Sequence, residues 1–105
     1  MVLGTAQLTQ EYGVSYKYSN GPIGDRAAAV LDAASMVGIN SYDTAPAYAR
    51  AEEVLGRCLV GESQVYSKIY WPKNLLDTHL AKFCRNTIRA SCENLHRDRL
   101  DGVFT

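Results

Sequence analysis

The sequence predicts an α/β fold of parallel βαβ units, and three observations carry that prediction. Short apolar segments alternate with longer segments of helical periodicity, three times over, and a final strand-like segment closes the series. Connections of this kind are right-handed crossovers, which make neighbouring strands parallel. The chain has 105 residues, enough for one modest domain and too few for two. Four parallel strands are compatible with a small open sheet or with half of an eight-stranded barrel.

Each element has a local reason. "VLGTAQL" opens with a short buried strand, Val2 to about Thr5, that ends in small residues. "TQEYGVSYKYSNGPIGD" carries the turn chemistry of a loop at Gly13, "SNGP" and Gly24, and Asp25 is placed to cap the first helix. In "DRAAAVLDAASMVG", Ala27, Val30, Leu31, Ala34 and Val37 recur at the spacing of a one-faced helix, with Gly38 just past its end. "INSY", closed by Asp43, is the second strand. "ARAEEVLGRCL" is the second helix, with Glu52 and Glu53 in the first turn, where the helix dipole favours acids. "QVYSKIY" is the third strand, with Val65, Ser67 and Ile69 on one face and Tyr66 and Lys68 on the other. After "WPKN" a long helix runs from about Asp77 to Leu95 on a stripe of Leu80, Cys84, Ile88, Cys92 and Leu95. "RLDGVFT" is the fourth strand.

Composition narrows the function. Apolar residues make up 47% and charged residues 21%, as in soluble globular proteins. The 11 basic side chains match the 11 acidic ones, so no field favours nucleic acid or an anionic membrane. Cys58, Cys84 and Cys92 form no disulfide framework and read as small buried thiols. His79 and His96 make no ligand pattern with them, so no metal site is expected. The start, "MVLGTAQL", lacks a basic n-region, and no apolar run approaches the ~18 residues of a membrane span, which makes the cytosol the expected location.

Parallel α/β folds carry their working groups at the carboxyl ends of strands. Asp43 ends the second strand, Tyr48 lies in the loop after it, and Lys68 stands near the end of the third. An ammonium beside a phenol favours the phenolate, and a carboxylate paired with that ammonium holds it in place. A phenol tuned this way donates a proton well to a carbonyl oxygen gaining negative charge. Each residue also has a plain structural reading: a capping Asp, a surface Tyr and a solvated Lys. Their joint placement favours chemistry without naming a reaction.

The residues that name one are "LGTAQL", "VLDAASMVGIN", "DTAPAYARAEEVLGR", "VYSKI" and "SCENLHRDRLDGVF". Together they make nearly the whole chain resemble the N-terminal half of the aldo-keto reductases. That resemblance implies half of a (β/α)₈ barrel over residues 1–105 and the metal-free reduction of small aldehydes and ketones by NADPH. It implies Tyr48 as proton donor, Lys68 as the cation that tunes it and Asp43 as the partner of that cation. It places Gly4, Thr5, Ala6 and Asp43 at the nicotinamide ribose, and Trp71 either as a wall of the substrate pocket or as packing under a loop. A fourth catalytic member, a His at the end of the fourth strand, would come next after Thr105, and His79 and His96 sit in the wrong places to replace it. Most cofactor contacts belong to the other half of such a barrel. The chain is therefore expected to be a reductase incomplete by itself, with little turnover and weak NADPH binding. The alternative is a non-catalytic half-barrel that assembles or binds, and self-association through its open sheet is expected. A flavodoxin-like binder is disfavoured because no phosphate-cradling glycine loop follows the first strand.

Overall fold

The computed structural model describes residues 1–6, 8, 23–48, 50–59 and 62–105. The loop expected over residues 9–22 lies outside them. The elements run β1 (Val2–Gly4), α1 (Ile23–Met36), β2 (Ser41–Asp43), α2 (Ala51–Cys58), β3 (Gln64–Lys68), α3 (Asp77–Asn94) and β4 (Gly102–Phe104). All strands are parallel and the sheet order is the chain order. Gly4, Asp43 and Tyr66 stand side by side in one row, and Lys68 pairs with Phe104 in the next. No described helix is long and apolar enough to cross a membrane.

The core lies on the helix-facing side of this sheet. Leu31, Tyr42, Leu55, Val65 and Leu95 form it, with Leu3, Cys58, Leu59 and Leu100 packed at its margin. Strand alternation sets who faces it: Val65, Ser67 and Ile69 are buried, as read from the sequence, and Tyr66 and Lys68 point to the opposite, inner face. On that inner face Gly102 leaves room for the Tyr66 ring, which tilts against Phe104 with centroids 6.1 Å apart.

Several expectations need correction. α1 begins at Ile23, so Gly24 and Asp25 lie inside its first turn instead of in a loop and a cap. The first N–H groups of a helix need no partner within it, which lets turn-forming residues enter. Its buried stripe is Ala27, Leu31 and Ala34, while Val30 and Val37 are exposed, because the sheet covers a narrower strip of helix than the sequence pattern spans. On α3, Leu80 is exposed, Cys84, Ile88 and Cys92 are half-buried, and the buried side chains are Ser91 and, just past the helix, Leu95. The three cysteines are half-buried rather than buried.

Both longer helices stop in the same way. Gly38 (φ 87°) follows α1, with Ile39 N–H donating to the Ala34 carbonyl at 2.9 Å and Gly38 N–H to Ser35 at 3.0 Å, a Schellman closure. At the end of α3 the left-handed place is taken by His96 (φ 53°), and Arg97 N–H reaches the Cys92 carbonyl at 3.1 Å. His96 is thus an exposed helix terminator at the amino-terminal end of β4, far from the strand ends where chemistry is expected.

Candidate active site

The site grows from the chain leaving β2. Beyond Asp43 the sheet continues for one residue, as Thr44 N–H donates to the Tyr66 carbonyl at 2.8 Å. Residues 45–48 then make a β-turn closed by Tyr48 N–H on the Ala45 carbonyl at 3.0 Å. Pro46 holds its second position, where a fixed φ preorganises the turn. A second bond, Ala51 N–H to the Tyr48 carbonyl at 2.8 Å, passes the chain directly into α2. Ala45 and Ala51 are completely buried, so the loop carrying Tyr48 is seated at both ends.

Lys68 meets this loop from β3. Its Nζ donates to Asp43 Oδ1 at 2.6 Å and to the Thr44 carbonyl at 3.2 Å, and it lies 4.9 Å from the centre of the Tyr48 ring. Burial works against the ammonium, but hydrogen bonding and charge attraction to Asp43 and Tyr48 outweigh it, and the net effect raises Lys68 above its ordinary value of 10.5. Because the folded value is the higher one, the stabilisation by this ammonium is complete below about pH 10 and fades as pH rises through the raised value. Thermal melts between about pH 8 and 11 should therefore show an alkaline fall in midpoint that Lys68→Met reduces. An equal fall in both proteins would contradict the assignment.

Thr5 has a structural task. It is completely buried, and its hydroxyl and its N–H both donate to the Asp43 carbonyl, at 2.9 and 3.0 Å. It therefore fixes the main chain that presents the carboxylate. Gly4, next to Asp43 in the sheet, faces open space: a methyl there would meet nothing within 4 Å. Gly4, Asp43 and Lys68 join Val2, Tyr66 and Phe104 around an open depression of about 450 Å³. Ala6, half-buried, follows at the end of β1. Trp71 is partly exposed and packs on Phe83 of α3, ring centroids 6.2 Å apart.

Two polar residues that the sequence pattern assigned only to helix and strand register stand directly behind this constellation. Glu52, 3% exposed, accepts a hydrogen bond from Ser67 Oγ at 2.8 Å and a longer one from Asn94 Nδ2 at 3.4 Å. A Ser between two apolar residues on a buried strand face, and a Glu between Ala51 and Val54 on a buried helix face, were the signals available.

The model of the aldo/keto reductase family matches residues 1–105, the entire chain. The chain belongs to the aldo-keto reductase family. A solved structure from Pseudomonas aeruginosa assigned as an aldo-keto reductase is 36% identical, superposes with a TM-score of 0.74, and is matched over 97% of this chain and 40% of that one. A second from the same organism is 33% identical with a TM-score of 0.71, over 97% and 39%. This aldo-keto reductase segment thus spans about 40% of the length of those solved relatives. No curated protein matches it. The four parallel strands and three helices are the N-terminal portion of the family's barrel, as the sequence implied.

Proposed function

We propose that this chain carries the proton-donating side of an NADPH-dependent carbonyl reductase, working within a complete barrel on a small aldehyde or ketone. One observation supports this above all: the Lys68 ammonium sits between the Asp43 carboxylate, at 2.6 Å, and the Tyr48 ring, at 4.9 Å, on the carboxyl-end rim of the sheet. Tyr48 gives its hydroxyl proton to the carbonyl oxygen. Lys68 favours the negative charge that then develops on the phenol, and Asp43 keeps Lys68 aimed. When bound, the nicotinamide supplies the hydride for the carbonyl carbon. The residues fit such a group at the rim: Gly4, beside Asp43 in the sheet, carries no side chain and leaves that space open. Gly4, Ala6 and Asp43 would line its edge, with Thr5 acting through the Asp43 main chain and Trp71 at the outer margin.

The test uses Lys68→Met and Asp43→Asn in a complete barrel that carries this segment. Lys68→Met removes the cation that favours the phenolate, so reduction slows by about tenfold or more at neutral pH and the alkaline limb of the rate moves to higher pH. Asp43→Asn acts in the same direction through a less well held lysine. Unchanged rates and pH profiles in both variants would reject the set.

A second reading, a half-barrel that assembles, is favoured by its open inner face. Val2 and Phe104 are 53% and 55% exposed there, β1 and β4 have no strand on their outer sides among the described residues, and net charge is zero. Residues 1–105 alone should therefore sediment as a dimer or larger at micromolar concentration and bind NADPH weakly. A compact monomer with tight NADPH binding would contradict this.

A further inference from the structure

We infer that Glu52 is a positioning residue that, through Ser67, fixes the spacing between Tyr48 and Lys68. The inference rests on the catalytic reading above. Tyr48 and Lys68 arrive on different elements, Tyr48 on the turn between β2 and α2 and Lys68 at the end of β3. The Tyr48 loop is fastened to the first turn of α2 by the Ala51 N–H on the Tyr48 carbonyl, and Glu52 is the next residue. Ser67 is the residue before Lys68 on β3 and points to the opposite side of the sheet. The 2.8 Å bond from Ser67 Oγ to Glu52 Oε1 therefore ties the first turn of α2, to which the Tyr48 turn is joined, to the strand that carries the cation.

The chemistry of the tie argues that it does more than fill space. Glu52 is 3% exposed and Ser67 1%. Among the described residues Glu52 has no ion-pair partner; its hydrogen bonds come from Ser67 and Asn94, both neutral. Burying a carboxylate against neutral donors is a poor way to stabilise a helix–sheet contact, where an apolar side chain of similar size packs without a desolvation penalty. What the carboxylate offers is a short, directional, charge-assisted bond, favoured by its place in the first turn of α2. Asn94 adds a weaker reach from α3, and half-buried Cys92 lies close enough for the carboxylate, after burial itself, to help push its thiol up. Neither faces the reacting groups, so the bond to Ser67 is the one that couples to them.

The experiment compares Ser67→Ala, Glu52→Ala, Glu52→Gln and Tyr48→Phe in the complete barrel, reading kcat, KM, the pH–rate profile and the melting temperature of each. Ser67→Ala and Glu52→Ala should lower kcat about tenfold with KM little changed, and shift the alkaline limb as Lys68→Met does. Glu52→Gln keeps an oxygen acceptor for Ser67 but not its charge, and should recover part of the kcat that Glu52→Ala loses. Ser67→Ala removes a single hydroxyl, so it carries the test if Glu52→Ala fails to fold. A lower melting temperature with wild-type kcat and pH profile, alongside a Tyr48→Phe variant that has lost activity, would overturn the positioning role alone. Full activity in Tyr48→Phe would overturn the catalytic reading instead, and the role of Glu52 with it.

Discussion

Tyr48→Phe should lower carbonyl reduction in the complete barrel by about 10²–10⁴-fold while NADPH binding stays nearly unchanged. The substitution deletes one hydroxyl and leaves the ring that Lys68 approaches at 4.9 Å, so the loop keeps its packing. The turn over residues 45–48 is held by main-chain bonds and buried alanines, none of which involves the phenol oxygen. The loss therefore reports proton donation and not collapse of the site. Steady-state reduction and a cofactor fluorescence titration on the same preparation separate the two. Turnover close to wild type would remove Tyr48 from the mechanism.

The largest stability effect is expected far from the rim. Gly56 faces the end of α3 so closely that a methyl group would press on the Asn94 carbonyl oxygen and lie 2.9 Å from the Cα and carbonyl carbon of Leu95. All of these are main-chain atoms and cannot swing aside. Ala is the better helix former by about 1 kcal/mol, which opposes the loss only in part. Gly56→Ala should cost about 3 kcal/mol or more, because α2 and α3 must separate and Leu95 leaves the core. Total stability of a domain is only about 5–15 kcal/mol, so much of the protein unfolds at moderate temperature. Gly4→Ala is the control: its methyl meets nothing, and its stability should stay within about 0.5 kcal/mol of the parent. Equal melting of the two variants would show that the helices do not touch at Gly56.

How far the sequence is legible depends on where each signal lies. Asp43, Tyr48 and Lys68 were legible because parallel strands present their carboxyl ends to one rim, and the structure gathers all three there. The face alternation of Val65, Ser67 and Ile69 was legible because period two needs no tertiary information. The start of α1 was not, since Gly24 and Asp25 have the same chemistry in a loop and in a first helical turn. Val30, Val37 and Leu80 were misplaced because periodicity gives the direction of a helix face but not the width of its cover. Thr5, Glu52 and Ser67 illustrate a third limit. In the sequence Thr5 reads only as a cofactor-side residue, Glu52 as a first-turn acid and Ser67 by its strand face, and only the partners across 38 and 15 positions of sequence reveal that they brace Asp43 and link α2 to β3.

The central claim is that Tyr48 and Lys68 act on one proton. The most direct test is a double-mutant cycle of Tyr48→Phe and Lys68→Met on the rate of carbonyl reduction in the complete barrel. If the lysine works only through the phenol, the double variant loses no more than Tyr48→Phe alone, and the coupling equals the whole effect of Lys68→Met. Losses that multiply would show the two residues acting independently and would contradict the account.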